Sequence, residues 1–108
     1  MVGVMVEDVV EAPISFTDFS GGKVRPVLIL ADVGMDDWIV CPLTSGRQRR
    51  SDDIPIARSD VQPGSLLRNS WARGSRLYTL NERVFGRTLG SVSSAKLTEV
   101  VAAVRSLF

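Results

Sequence analysis

Short apolar runs of strand length, separated by polar breaks that contain glycine or proline, fill most of the chain before residue 90. The run over 27–31 is continuous and branched-aliphatic, a pattern typical of a strand that is buried on both faces. A second run over 38–43 follows a polar segment that contains Gly34, so the two runs predict a β-hairpin with its turn over 32–37. Further runs predict strands or extended segments at 9–14, 54–57, 66–72 and 77–80, with a loop at 44–53 and a turn at 59–65.

The period of the apolar positions changes near the C-terminus. They recur there at the spacing of one helix face, at Leu97, Val100, Val101, Val104 and Leu107. This spacing predicts an amphipathic helix, with Ser93 or Ser94 as its N-cap and Gly90 marking the break before it. Several short strands and one final helix predict a mainly β fold, a strongly bent antiparallel sheet or partly open barrel covered by a C-terminal helix. The 108 residues are expected to form a single domain over 1–108.

Composition narrows the classes of function. Thirteen basic and twelve acidic side chains give a formal charge of +1, so no global field attracts nucleic acid. Arginine nevertheless outnumbers lysine eleven to two, which reflects either a GC-rich genome or phosphate recognition by the guanidinium fork. The single cysteine, Cys41, lies in an apolar run and is expected to be a buried thiol. No signal segment or run of ~18 apolar residues is present, so we expect a cytoplasmic protein that does not enter membranes.

The absence of histidine excludes several catalytic arrangements. Serine–histidine and cysteine–histidine pairs are impossible, as are zinc sites that contain histidine. Adjacent carboxylates at 7–8, 36–37 and 52–53 are interpreted as solvated turn charges, because neighbours in a strand point to opposite faces and acidic residues are mostly exposed. No phosphate-binding P-loop or dinucleotide fingerprint is present. We therefore expect no metal and no cofactor, and chemistry that relies on arginine, lysine and hydroxyl groups.

Four segments, in order along the chain, resemble one known family. The first, 16–30, has a glycine-containing loop with Lys23, then Arg25-Pro26 and the apolar strand. The other three are Cys-Pro-Leu-Thr-Ser-Gly-Arg at 41–47, Ser-Trp-Ala-Arg at 70–73 ahead of Thr79-Leu80, and Leu-Gly-Ser-Val-Ser at 89–93. In these segments the chain resembles the PemK/MazF family of toxin ribonucleases.

The resemblance implies a small SH3-like barrel of the CcdB/MazF type, a homodimer, and a cognate antitoxin that covers the site. It also implies the toxin of a type II toxin–antitoxin system, which cleaves single-stranded RNA such as mRNA at a specific sequence without a metal. The products would carry 2′,3′-cyclic phosphate and 5′-hydroxyl ends. Such cleavage needs no histidine or metal in principle, because the 2′-hydroxyl is an internal nucleophile beside the phosphorus.

Carried over residue by residue, the resemblance places Arg25 and Thr44 at catalytic positions. Arg25 would stabilise charge and take part in proton transfer, and Thr44 would donate a hydrogen bond to the phosphate. The implied substrate-binding residues are Lys23, Ser45, Ser70, Arg73 and Asp18.

Structural interpretations of the same residues stay open. Arg25 is alternatively an ion-pairing residue that anchors a loop, and Thr44 and Ser45 are alternatively turn hydroxyls at a strand end. Arg73 is alternatively one half of a structural ion pair, with Asp8 or Asp18 as its partner.

Three features outside those residues also have two interpretations. Trp38 and Trp71 are interpreted as core or dimer-interface aromatic residues rather than base-stacking platforms. The arginine-rich run 47–50 is either a solvated loop or an RNA-backbone contact, and the latter would make binding steeply salt-dependent. Two positions depart from the family pattern: Glu7 stands where glycine is usual, and Trp71 replaces an aliphatic residue beside Arg73.

Two other functions fit the same fold, which does not by itself define an activity. One is a non-catalytic toxin that binds a protein target, as gyrase poisons of the CcdB type do. Those end in Trp-Gly-Ile, whereas this chain ends in Ser106-Leu107-Phe108. The other is an RNA-binding relative that does not cleave, which would use the same arginines.

Overall fold

The structure, a computed structural model, describes residues 3–14 and 23–108. Within this part of the chain there are seven strands and one α-helix. The strands are β1 (Asp8–Ile14), β2 (Lys23–Gly34), β3 (Asp37–Thr44), β4 (Ile54–Ile56), β5 (Ser70–Ala72), β6 (Tyr78–Asn81) and β7 (Thr88–Ser91). The helix α1 spans Ser94–Arg105, and single 3₁₀ turns lie at Arg58–Asp60, Gly74–Arg76 and Glu82–Val84. Neither α1 nor any other described helix has the length and apolar character needed to cross a membrane.

The strands form one antiparallel sheet that curls into a half-barrel. Its order is β4-β5-β3-β2-β1-β7, and β6 pairs with β3 beside that path. Strand β3 is the branch point, because its first half pairs with β6 whereas its last two residues, Leu43 and Thr44, pair with β5. This mainly β architecture with one C-terminal helix confirms the predicted fold class.

Strand β2 is buried on both faces of the sheet. Val27, Leu28 and Ile29 are all fully buried. Leu28 belongs to the cluster that packs against Val100 of α1, whereas Val27 and Ile29 belong to a second cluster on the opposite face. Successive strand residues point to opposite faces, so the continuous apolar run is what a doubly covered strand requires.

Two predictions about core side chains are confirmed. Cys41 is fully buried, and burial raises the pKa of its thiol to about 12. Trp38 is buried in the second cluster, where its Nε1 donates a hydrogen bond to Glu82 Oε1 at 3.1 Å.

The β2–β3 hairpin has a tighter turn than the sequence predicted. Strand β2 continues to Gly34, and only Met35 and Asp36 lie between the two strands. Both have positive φ, 58° and 63°, as the central residues of a type I′ turn do. The polar residues of 32–34 therefore belong to the strand, at its exposed end.

Helix α1 begins at the predicted cap. Ser93 Oγ accepts a hydrogen bond from Lys96 N at 3.1 Å, which identifies Ser93 as the N-cap, while Ser94 Oγ donates to Glu7 Oε2 at 2.9 Å. Val100 is the buried centre of the apolar face. Leu107 lies beyond the end of the helix and is partly exposed, so the predicted helix is one apolar position too long.

Two sequence predictions about irregular segments were wrong. Gly90 does not mark a break but lies in β7 opposite Val9, with φ of +147°. A Cβ at Gly90 would lie 2.8 Å from Gln62 O, so close approach of two backbones requires glycine here. The strand or extended segment predicted over 66–72 forms a strand only at Ser70–Ala72, and residues 66–69 are irregular.

Candidate functional site

An open groove of about 230 Å³ lies where strand β2 begins and strand β3 ends, next to the irregular segment before β5. We call it the strand-end groove. It is lined by Val24, Arg25, Pro26, Leu43, Thr44, Ser45, Leu66, Leu67, Arg68 and Ser70. Three separate parts of the chain therefore meet at this groove.

The register of the sheet brings Arg25 to Thr44. Val27 pairs with Pro42 and Leu28 with Cys41. Arg25 lies two residues before Val27 and Thr44 two residues after Pro42, and both line the groove. Arg25 is half-buried and also lies opposite Ala12 of β1. Arg25 is thus carried by a strand segment that is paired with β1, which restrains its backbone.

Thr44 is the last residue of β3 and lies half-buried in the groove. Its Oγ1 accepts a hydrogen bond from Nε of Arg73. A hydroxyl has one proton to donate and two lone pairs to accept with, so this contact leaves the Thr44 proton available for another acceptor. Thr44 can therefore donate to an anion in the groove.

Arg73 lies behind Thr44 and outside the groove lining. Only 6% of its surface is exposed. Nη1 forms an ion pair with Asp53, and Nη2 donates to Arg47 O at 3.1 Å. The sequence suggested Asp8 or Asp18 as the structural partner of Arg73, whereas the structure pairs it with Asp53. Asp8 instead accepts from Met5 N at 3.0 Å, and Asp18 lies outside the described residues.

Asp53 contradicts the expectation that its carboxylate pair is solvated. It is 2% exposed, and its Oδ2 accepts from the backbone nitrogens of Arg49 and Arg50, both at 2.9 Å. Asp52 is only half-buried, and the hydrogen bonds from the exposed Arg50 hold its pKa below the usual value. The sequence could not predict the different burial of Asp52 and Asp53, because the loop bends between them and turns the Asp53 carboxylate into the protein.

The loop between β3 and β4 carries exposed arginines, and hydrogen bonds hold its backbone in place. Arg47 and Arg49 line a polar depression beside the groove. Gly46 O accepts from Trp71 Nε1 at 3.0 Å, and Gln48 Nε2 donates to Asp53 O at 3.2 Å. The exposed charges are therefore presented by a segment whose main chain is held at several points.

The structure brings together four of the predicted site residues, Arg25, Thr44, Ser45 and Ser70. Ser70 is largely buried, with its Oγ donating to Arg68 O at 3.0 Å. Lys23 is exposed at the start of β2 and is not part of the groove lining. The predicted substrate-binding residue Asp18 lies outside the described residues.

Arg68 is a lining residue that sequence reasoning missed. It is exposed on the groove, two residues before Ser70. The available signal was a lone arginine just ahead of the Ser-Trp-Ala-Arg segment. The strand or extended segment predicted over that stretch gave no reason to select Arg68. Among the described residues, no group of three or more histidine, cysteine or acidic side chains is placed to hold a metal ion.

Comparison with known families and structures bears on this arrangement. Residues 7–108 match the family model described as PemK-like, MazF-like toxin of type II toxin-antitoxin system. No protein of curated function matches the chain in sequence.

Solved structures with the same fold include proteins from mycobacteria and from Deinococcus radiodurans. An endoribonuclease in complex with its cognate antitoxin, from a Mycobacterial species, superposes with a TM-score of 0.74 at 18% identity, covering 96% of this chain and 93% of that one. Mycobacterium tuberculosis toxin MazF-mt6 superposes with a TM-score of 0.73 at 18% identity, covering 92% and 93%. A MazE-MazF structure from Deinococcus radiodurans gives 0.69 at 19% identity, covering 94% and 91%. At these low identities the superpositions show a shared fold. Because the family model spans nearly the whole sequence, the chain belongs to the family of PemK-like, MazF-like toxins of type II toxin–antitoxin systems.

Proposed function

We propose that this toxin is an endoribonuclease that cleaves single-stranded RNA, such as mRNA, at a specific short sequence without a metal ion. The products are a 2′,3′-cyclic phosphate and a 5′-hydroxyl. The observation that carries the proposal is the meeting of Arg25, Thr44, Ser45 and Ser70 in one groove, from three separate parts of the chain.

The groove holds groups that suit a phosphodiester. Arg25 and Arg68 supply cations whose planar forks match phosphate oxygens. The Thr44 hydroxyl supplies a donor whose direction is set by its contact with Arg73. The 2′-hydroxyl of RNA is the nucleophile, so the protein aligns it and stabilises the charge that grows on the phosphoryl oxygens.

The rest of the lining suits a nucleoside. Leu66 and Leu43 lie in the floor, and Val24 and Leu67 are exposed at 67% and 85%. Apolar side chains beside cations match a nucleotide, which has flat apolar base faces and a charged backbone.

The proposed partners follow from the family and from the surface. We propose a homodimer, and a cognate antitoxin that covers the groove; one of the structural neighbours is itself described as an endoribonuclease in complex with its cognate antitoxin. Exposed apolar side chains give these partners surface to bury; besides Val24 and Leu67, they include Met35 and Phe108. An acidic, disordered antitoxin segment would suit the exposed arginines and fold on binding. A cytoplasmic location fits an enzyme that acts on mRNA.

The test is cleavage of a long RNA of mixed sequence in EDTA. Wild-type protein should cut at one short motif. Arg25→Ala and Thr44→Ala should each lower kcat by about 100-fold or more, the order of loss seen when one preorganised donor is removed. Arg105→Ala on α1 and Thr79→Ala on β6 are matched controls, since both are exposed and outside the groove lining. Intact RNA after incubation with folded, antitoxin-free wild-type protein would overturn the proposal.

A further inference from the structure

A buried ion pair lies directly behind the strand-end groove. The side chain of Asp53 is 0% exposed and that of Arg73 is 7% exposed. Asp53 comes from the end of the arginine-bearing loop, and Arg73 follows strand β5. The pair therefore joins two segments that both border the groove.

Arg73 uses its guanidinium inside the protein. Nε donates to Thr44 Oγ1, Nη1 to Asp53 Oδ2 and Nη2 to Arg47 O. Each of the three nitrogens thus has an acceptor from the chain itself, and the backbone nitrogen donates to Pro42 O at 3.0 Å. This arrangement suits an arginine that orients other groups rather than one that binds RNA.

The first group it orients is the Thr44 hydroxyl. A cation that donates to Oγ1 occupies one lone pair and polarises the O–H bond. The hydroxyl proton is then directed away from Arg73 and is a stronger donor. Because Thr44 lines the groove, a proton turned away from Arg73 can meet a phosphate oxygen there.

The second group is the backbone of the loop. Asp53 Oδ2 accepts from Arg49 N and Arg50 N, while Arg73 holds Arg47 O. The same pair thereby sets the path from which Arg47 and Arg49 present their exposed side chains.

Stability alone is a poor explanation for this pair. Replacing a buried ion pair with apolar residues of similar size is often neutral or stabilising. Asp53 Oδ1 is, moreover, buried without a hydrogen-bond partner among the described residues, which adds an uncompensated desolvation cost. A pair kept at such a cost needs a role besides packing.

We propose that Asp53 and Arg73 are positioning residues of the cleavage reaction: they fix the donor direction of the Thr44 hydroxyl and the path of the arginine loop. This inference rests on the proposed ribonuclease function. It assigns Arg73 an indirect part in catalysis, in contrast to the direct RNA contact that the sequence resemblance implied.

The test separates positioning from folding with a double apolar replacement, Asp53→Leu/Arg73→Met. It removes both charges and keeps a filled interior, so we expect a folded protein with a melting temperature near that of wild type. Single-turnover cleavage should slow by about 100-fold, as for one lost preorganised donor. Binding of an uncleavable RNA with a 2′-deoxy residue at the cut site should weaken less than tenfold.

A second comparison tests the route through Thr44. Thr44→Val already removes the hydroxyl, so at saturating protein, where RNA binding by the arginine loop no longer limits the rate, adding the double apolar replacement to it should cost little further cleavage rate. A purely structural pair would instead slow Thr44→Val by as much as it slows wild type. If the apolar variant does not fold, Arg73→Lys serves the same comparison, because lysine keeps the charge beside Asp53 but its single nitrogen cannot span the three acceptors.

The outcomes distinguish the two proposals. Wild-type cleavage combined with full activity of the folded apolar variant, or with additive losses on Thr44→Val, overturns the positioning role and leaves the ribonuclease standing. Wild-type protein that is folded but inert overturns both.

Discussion

The salt dependence of RNA binding is a prediction whose magnitude can be worked out from the charges around the groove. Arg25 and Arg68 line it, and Arg47 and Arg49 are exposed on the neighbouring loop, which makes four arginines able to meet phosphates. Arg50 is not counted, because it lines neither the groove nor the depression beside it. Each phosphate contact to a single strand contributes about −0.7 to the slope of log K against log salt, so four predict a slope of about −2.8.

The perturbation is a rise in salt from 50 to 200 mM, first with wild-type protein and then with the double variant Arg47→Ala/Arg49→Ala. Four contacts predict a loss of roughly 50-fold in affinity over this range, and the two that remain in the variant predict roughly sevenfold. Fluorescence anisotropy of a labelled RNA with a 2′-deoxy residue at the cut site measures binding without cleavage.

Arg83→Ala/Arg105→Ala is the matched control for this experiment. It removes the same charge from exposed positions outside the groove lining and should leave the slope as in wild type. A wild-type slope near zero, or equal slopes for the loop variant and wild type, would refute the reasoning. The arginine-rich run would then be the solvated loop of the structural interpretation.

Three further predictions concern stability and reactivity. Gly90→Ala should destabilise the protein by at least about 2 kcal/mol in urea unfolding, since its Cβ would meet Gln62 O at 2.8 Å. Gly34→Ala is the control, because Gly34 has φ of +88° but open space around it, so the loss of stability should be smaller. Equal losses for the two variants would contradict this account. Cys41, with its pKa raised to about 12, should resist a thiol reagent at pH 8 until the protein unfolds, so rapid native labelling would count against its burial. The hydrogen bond from Arg87 lowers the pKa of Glu11, so the stabilisation from this pair is present above the ordinary value of 4.5 and is lost as pH falls through the lower folded value. Arg87→Ala should flatten that part of the pH dependence of unfolding, and an unchanged profile would show that the pair contributes nothing.

The elements that the sequence predicted well are those whose signal is local. The β2–β3 hairpin follows from two apolar runs around a glycine-containing turn, and α1 from a helical period with a serine cap. Strand β7 was missed because Gly90 inside it resembles a break. It forms a strand only because β1 lies alongside, which is a contact distant in sequence.

The same distinction applies to the site. Arg25 and Thr44 were recognisable as a pair through family motifs, and the register of two adjacent strands brings them together. The burial of Asp53 was not predictable, because its partner Arg73 lies twenty residues away. Arg68 was missed for a related reason: only the irregular path of 66–69 turns it towards the groove.

The most direct test of the central claim is cleavage of two otherwise identical RNAs that contain the recognised motif. One has a normal ribose, and the other a 2′-deoxyribose, on the 5′ side of the cut. The account predicts cleavage of the first in EDTA, with a cyclic phosphate and a 5′-hydroxyl identified by mass spectrometry, and no cleavage of the second. Cleavage of the deoxy substrate, or products with a 5′-phosphate, would contradict it, because an external nucleophile would then be attacking the phosphorus.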